Sequence, residues 1–267
     1  MSKELARSAR KRFGQNFLID DRVIDAILAS INASASDTVI EIGPGHGAIT
    51  EGLYTSQCDL TLIELDRDLV PELLATFVSK SSKRCRLINE DVLKVDFAQF
   101  GSPLRIVGNL PYNISTPLLF KLLELGDQVQ DIHVMLQKEV VNRIAAAPGE
   151  SAYGRLGVMI QATACVETLI DVPPESFAPS PKVDSGVIRI IPDANKRALI
   201  ESMNALTQVV RQAFSQRRKT LRNNLKDIIS LDEFEVLRIN PQDRPERVSV
   251  ETYVELGNYL GRKERDT

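Results

Sequence analysis

Asn109-Leu110-Pro111-Tyr112 follows an apolar run from Leu104 to Val107 and sets side by side an amide, a carbonyl restricted by the next proline, and an aromatic ring. That combination suits transfer of a group to an amino nitrogen. The exocyclic nitrogen of adenine is a poor nucleophile because its lone pair is delocalised into the ring. Two acceptors, the Asn109 side-chain oxygen and the Leu110 carbonyl, would hold its hydrogens so that the lone pair points at an incoming methyl group. Tyr112 would stack on the base, a contact typically contributing ~1–3 kcal/mol. A neutral Asn also avoids trapping a cationic methyl donor in a tight ion pair. The competing reading is a plain proline turn over a core tyrosine.

A second constellation lies upstream. VIEIGPGHGAIT reads as a buried strand, a glycine turn and the start of a helix, which leaves free backbone amides at the strand's carboxyl end for an adenosine-bearing cofactor. Gly43, Gly45 and Ala48 also satisfy the loose dinucleotide fingerprint, so this loop alone leaves an NAD enzyme open. Glu64 stands 21 residues after Gly43, at the end of the next apolar run, where a carboxylate can accept both ribose hydroxyl protons. Asp91, in NEDV after the third run, can accept from an adenine amino group. Three contacts at three successive strand ends fit one adenosine better than a dinucleotide. Helix caps or ordinary loop acids are the competing readings for Glu64 and Asp91.

These side chains require a parallel sheet to hold them. Asp20 can cap an amphipathic helix through Val23, Ile24, Ile27, Leu28 and Ile31. Apolar runs then follow at Val39 to Ile42, Leu60 to Leu65, Arg86 to Ile88, Leu104 to Val107 and Ile132 to Leu136, mostly spaced for crossover helices. Cys165 to Val172 and Gly186 to Ile191 add two strands joined by a proline-rich connection, which predicts an antiparallel edge pair. The expected division is an α/β domain over 1–192 and an all-helical domain over 193–267. In the second, Leu199, Met203, Leu206, Val210 and Phe214 repeat at helical spacing, Leu221, Leu225 and Ile228 continue it, and Ser249 caps a last helix through Tyr253, Leu256 and Leu260.

Charge is segregated along the 267 residues. The net charge is −3, yet residues 1–12 hold +4 and residues 196–226 hold +7, leaving −14 on the other 224. Such a distribution fits two local surfaces that meet phosphates. Arg211, Arg218 and Arg222 would share one side of a continuous helix, flanked by Arg217, Lys219 and Lys226. Lys3, Arg7, Arg10, Lys11 and Arg12 would add a basic arm, and twelve residues are short for a transit peptide. No apolar run approaches the roughly 20 residues of a membrane span. Cys58, Cys85 and Cys165 fit neither a zinc pattern nor a disulfide framework, so the expected address is reduced cytoplasm. Two distant histidines make no metal site, and His133 within a strand reads as structural.

FGQNFL (Phe13 to Leu18), EIGPGHGAIT, IELD, NLPYNIS and FAPSPKVDS, in this order and spacing from Lys11 to about Gly257, resemble the KsgA/RsmA family of ribosomal RNA adenine dimethyltransferases. The resemblance implies a class I S-adenosylmethionine-dependent methyltransferase fold, Rossmann-like, with a smaller helical domain. It implies N6-dimethylation of two adjacent adenosines near the 3′ end of 16S rRNA, within a small ribosomal subunit or its precursor, by a cytoplasmic and monomeric enzyme. By motif matching, Asn16 and Leu18 would join Gly43, Gly45, Glu64, Asp91 and Asn109 around the cofactor, with Gln15 beside them. Phe177 would form the second aromatic face against the target adenine. His46 after GPG departs from the motif without touching anything essential. Two other readings remain at this point: a large-subunit methyltransferase of the antibiotic-resistance type, and a nucleic-acid-binding factor without catalysis. FGQNFL and the helical tail with FSQRRKTLRNNL favour the small-subunit class.

Overall fold

Five strands of the chain are apolar enough to be buried on both faces, and they form the centre of a seven-stranded sheet. In this computed structural model the described residues are 15–79, 84–111, 113–216 and 218–265, so the basic arm at 1–12, Tyr112 and Arg217 lie outside them. The chain divides into two units, one made of residues up to Val141 with Glu167–Pro192, the other of Asn142–Val166 with the residues from Asp193 onward.

The first unit begins with β1 (Phe17–Leu18) and α1 (Asp21–Ile31). Asp20 caps α1 as expected, accepting from the Arg22 amide at 3.1 Å, and Val23, Ile27 and Ile31 are its buried face. The sheet strands are β2 (Thr38–Ile42), β3 (Asp59–Ile63), β4 (Cys85–Ile88), β5 (Leu104–Asn109), β6 (Val129–Gln137), β7 (Ala164–Val172) and β9 (Ser185–Pro192), with β8 (Phe177–Ala178) pairing outside it. Helices α2 (Thr50–Thr55), α3 (Val70–Leu73, continued by a π turn Leu74–Val78) and α4 (Ser115–Glu124) supply crossovers. The order is β4-β3-β2-β5-β6-β9-β7, and the first five strands are parallel. β9 runs antiparallel to β6 and lies between it and the edge strand β7, so the two strands expected as a pair are neighbours at one edge of the sheet.

The chain winds outward from β2 to β4 on one side, then returns to β5 on the other, which makes the β2–β5 junction the switch point where such sheets open a crevice. Packing there is tight. A Cβ on Gly108 would lie 2.5 Å from the Ile42 carbonyl, so only glycine lets the two strands approach as they do.

Near the other end of β5, Arg105 is buried with its charge matched. Its Nε and Nη2 donate to the two Asp131 carboxylate oxygens, each at 2.9 Å, its Nη1 to Asp37 at 3.1 Å and its Nη2 to the Ile31 carbonyl at 2.6 Å. Asp131 has no exposure and also accepts from Arg189 at 3.3 Å. His133 is buried beside this pair, with neither ring nitrogen hydrogen-bonded among the described residues, and burial lowers its pKa. Its place is within the core, as the sequence led us to expect.

The second unit contains α6 (Arg155–Gln161), α7 (Ala194–Ala198), α8 (Met203–Ala213), α9 (Leu221–Leu225), α10 (Leu231–Val236) and α11 (Val250–Arg265), while α5 (Lys138–Ala145) crosses between the two units. The stretch Asn142–Val166 belongs here although it precedes Pro192. Tyr153 explains why: it is 2% exposed, donates to the Val248 carbonyl at 2.9 Å and packs against Phe214, which also meets Tyr253. Ser249 caps α11 through the Thr252 amide at 3.2 Å. The helical repeat read from Leu199 onward is interrupted twice. Leu199 is 65% exposed and ends α7, and the chain turns between Phe214 and Thr220 before α9 starts.

Arg105→Leu should lower stability by about 3–5 kcal/mol, because Asp131 would keep its burial and lose its bidentate partner. Urea unfolding checks this through a lower midpoint at unchanged slope; a midpoint equal to that of the parent protein would contradict it.

Candidate cofactor and adenine site

The carboxyl ends of β2 to β5 converge on one cavity, and each is bent toward it by a local device. After β2, Gly43 and Gly45 adopt φ values of 66° and 60°, a left-handed backbone that L side chains rarely take. A Cβ on Gly45 would also press to 3.0 Å from the Phe17 ring. Bare backbone is therefore what this turn presents to the cavity.

Glu64 follows β3 and is 6% exposed. One of its oxygens accepts from the Asp66 amide at 2.8 Å, and the other meets the Gly45 amide at 3.3 Å, so this carboxylate ties the loop after β2 to the loop after β3. Burial raises its pKa against the lowering effect of these amides. Asn89 donates to the Glu64 carbonyl at 2.8 Å and joins the β4 end to the same point. Asp91 acts as a loop acid, its Oδ1 accepting from the Leu93 amide at 3.0 Å, and the residue borders the cavity.

The segment from Gln15 to Leu18 crosses the cavity as a strap. Gln15 donates to Asp66 at 3.0 Å, and β1 pairs antiparallel with β8, Leu18 opposite Phe177. The Asn109 side-chain amide donates to the Asn16 carbonyl at 3.0 Å. With its nitrogen committed to the strap, Asn109 offers its Oδ1 as the acceptor. Leu110 is fixed by its own amide, which donates to the Met135 carbonyl at 3.2 Å.

Gln15, Asn16, Gly43, Gly45, Glu64, Asp91, Asn109, Leu110 and Pro111 all border this one cavity. Leu18 borders an adjoining recess behind the glycine turn, together with Glu41 and His46. Phe177 is brought near only through β8; it is 4% exposed, packs in the core cluster and does not border the cavity. Tyr112 is outside the described residues. Arg211, Arg222 and Lys226 sit on α8, on α9 and just beyond it, with Arg218 and Lys219 in the intervening turn, so they form no single helical stripe. Asn224 enforces that turn by donating to the Ala213 and Gln216 carbonyls at 2.6 and 3.2 Å. Among the described residues no group of three His, Cys, Asp or Glu could hold a metal ion.

Two acids at the site were not singled out from the sequence. Asp66 anchors the strap, and its signal was IELD itself, where it reads as a loop cap because it also accepts the Asp68 amide. Glu41 is 2% exposed within β2, accepts from the Thr50 hydroxyl at 2.7 Å and has its pKa pushed up to about 8, mainly by burial and further by the charge of Glu64. A charged residue inside the apolar run VIEI was the available clue.

The donor and acceptor set suits a single adenosine: acceptors at three strand ends, apolar walls from Ile42, Ile63, Leu65 and Val92, and a glycine turn of bare backbone. Residues 6–262 match the family described as ribosomal RNA adenine dimethylase. The chain belongs to that family. This dimethylase is 50% identical over 259 residues to ribosomal RNA small subunit methyltransferase A of Shewanella sp. strain MR-7, covering 96% of each chain. It is 52% identical over 257 residues to the protein of the same name from Neisseria meningitidis serogroup A, covering 96% of this chain and 97% of the relative. A dimethyladenosine transferase from Plasmodium falciparum shares the fold with a TM-score of 0.81 at 24% identity, over 93% of this chain and 98% of that one. The 23S rRNA methyltransferase ErmE does so with 0.73 at 23%, over 92% and 100%. The fold of the dimethylase is that of the class I methyltransferases.

Glu41 gives this site a pH signature in stability. Its folded pKa lies above the usual carboxylate value, so its contribution is full below about pH 4.5 and is lost as the pH rises toward 8, by up to about 1.4 kcal/mol per unit. Glu41→Gln should remove that decline and leave the variant more stable than the parent at pH 8. Urea unfolding at pH 5 and pH 8 measures it; identical pH dependence in both proteins would show that Glu41 ionises normally.

Proposed function

We propose that the dimethylase transfers methyl groups from S-adenosylmethionine to N6 of two adjacent adenosines near the 3′ end of 16S rRNA, in a small ribosomal subunit or its precursor. The observation that supports this reading is the bond from the Asn109 amide nitrogen to the Asn16 carbonyl, which leaves the oxygen as the remaining acceptor of a side chain that borders the cavity. S-adenosylmethionine supplies a methyl group on a positively charged sulfur.

The remaining work belongs to the chain. Glu64 receives the ribose hydroxyls, Asp91 an adenine amino group, and Gly43 and Gly45 admit the ligand against bare backbone. Gln15, Asn16 and Leu18 close the site from the strap. At the transfer end, the Asn109 oxygen and the Leu110 carbonyl hold the two hydrogens of the target N6, and Pro111 restricts Leu110. The nitrogen attacks the methyl carbon through its lone pair as the carbon–sulfur bond breaks and a neutral thioether departs, and the positively charged nitrogen then loses a proton to water, so no carboxylate base is required. Tyr112 and Phe177 are assigned the two faces of the extruded adenine, Phe177 being carried on the strand that pairs with the strap. In the helical unit Arg211, Arg217, Arg218, Lys219, Arg222 and Lys226 are assigned to RNA phosphates. Among the described residues no helix is long and apolar enough to cross a membrane. We place the monomeric enzyme in the cytoplasm, with the ribosome.

Mass mapping of small-subunit rRNA from cells lacking the gene should show loss of two dimethyladenosines near the 3′ end, and unchanged modification there would refute the substrate assignment. Asn109→Ala should slow both transfers by about 10²–10³ at every pH, the usual cost of losing one positioned hydrogen-bonding group. Single-turnover assays that resolve monomethyl from dimethyl adenosine test this, and near-normal rates for both steps would remove Asn109 from the chemistry. Changing Arg218 and Arg222 together to Ala should flatten the salt dependence of RNA binding, each lost phosphate contact taking roughly 0.7–0.9 from the log-log slope. Filter binding at several salt concentrations reads that slope, with cofactor affinity expected to stay constant.

A further inference from the structure

The helical unit contains a groove of its own, apart from the cavity at the strand ends. Arg211 from the last turn of α8, Gln216 from the following turn, and Asn223, Asn224, Lys226 and Asp227 from α9 and its end border it. Asn224 is 5% exposed. Its amide nitrogen is occupied by the Ala213 and Gln216 carbonyls, which fixes the orientation of the group. Its Oδ1 meets no donor among the described residues. A buried amide oxygen left this way carries a desolvation cost that an arriving donor would recover.

Capping the end of α8 accounts for the nitrogen of Asn224 and for nothing else in the groove. Arg211 and Lys226 make no ion pair among the described residues, whereas Arg262, Lys263 and Arg265 of the same unit are paired with Glu201 and Glu233. Two unpaired cations beside a buried acceptor ask for a ligand that brings both an anion and a hydrogen-bond donor. Asp227 sharpens this requirement. Its carboxylate repels a bare anion but accepts from an N–H group. A nucleotide with an unpaired base meets every demand, since its phosphate answers the cations and its base edge carries the donors. A base within a duplex has already committed that edge to its partner.

We propose that this groove takes one looped-out nucleotide of the rRNA, separate from the adenosines that are methylated. Arg211 and Lys226 bind its phosphate, and Asn224 Oδ1 with Asp227 accept from its base edge. The proposal rests on the reading of the chain as an rRNA-modifying enzyme and adds to it a point of register, because a single unpaired nucleotide seated at a fixed place orients the RNA as a phosphate stripe cannot.

The test uses the full chain labelled with ¹⁵N, titrated with AMP, GMP, CMP and UMP, and with ribose 5-phosphate and inorganic phosphate as probes without a base. The Asn224 side-chain amide resonance is followed, and methyl transfer to small ribosomal subunits is measured on the same preparation. At least one nucleoside monophosphate should shift that resonance saturably and bind about tenfold or more tightly than either probe without a base. Arg211→Ala with Lys226→Ala should weaken that nucleotide by about tenfold or more, while an unchanged Asn224 resonance in the free variant reports an intact fold. A resonance that no nucleotide moves, or that ribose 5-phosphate or phosphate moves equally well, overturns the proposal. If methyl transfer is normal in that case, the groove assignment alone falls. A parent protein that transfers no methyl group would count instead against the enzymatic reading.

Discussion

The contact between β2 and β5 at Ile42 and Gly108 is the constraint on which the cavity depends. These residues are in register as partners in adjacent parallel strands, and a side chain at 108 would collide with the Ile42 carbonyl. Because the strands run so close here, the residues that follow them, Gly43 and Asn109, emerge on either side of one crevice. A Cβ at Gly43 would lie 3.6 Å from the Asn109 carbonyl, which measures how narrow that crevice is. Parallel strands send their connections away in opposite directions only where the order reverses, so no other pair in this sheet could open the same space.

The crevice is closed from outside by residues remote in sequence. Asn16 and Asn109 are 93 positions apart, and Gln15 and Asp66 are 51 apart, yet these two bonds lay the strap across the strand ends. β8 backs it from a third part of the chain. Glu64 plays the corresponding role within the sheet by accepting amides from two different loops. A carboxylate that borders the cavity while fixing two loops has little freedom left, and this is how a site made from loops becomes rigid enough to orient small groups.

Legibility in the sequence followed the range of the interactions. Buried parallel strands are continuous apolar runs, so every strand of the large sheet could be read from local pattern, as could the caps at Asp20 and Ser249. The cavity residues from Gly43 to Pro111 were legible because each stands at the end of such a run. The two-residue strands β1 and β8 were not, since pairs so short carry no periodicity and exist only through each other. The membership of Asn142–Val166 in the second unit depends on the Tyr153 hydroxyl reaching Val248, 95 residues away. The turn between α8 and α9 was hidden for a different reason: the charged residues there keep helical spacing, and it is Asn224, polar and buried, that redirects the chain.

The distribution of charge within the cavity follows from the same geometry. Glu41 borders the recess behind the glycine turn, and burial together with the nearby Glu64 holds its proton at neutral pH. A second full negative charge beside Glu64 would raise the pKa of both groups, so the protein can keep one carboxylate functional there by keeping the other neutral. Asn109, at the other end of the cavity, offers an oxygen with no net charge. The acids that border the cavity, Glu64, Glu90 and Asp91, all stand on the β3 and β4 side. The β5 side presents only neutral acceptors. An aspartate in place of Asn109 would still accept hydrogen bonds, but it would add an anion at that end of the cavity and could no longer donate to the Asn16 carbonyl. The amide is the one side chain of that length that can donate to the strap with its nitrogen and still keep an uncharged acceptor oxygen at the cavity.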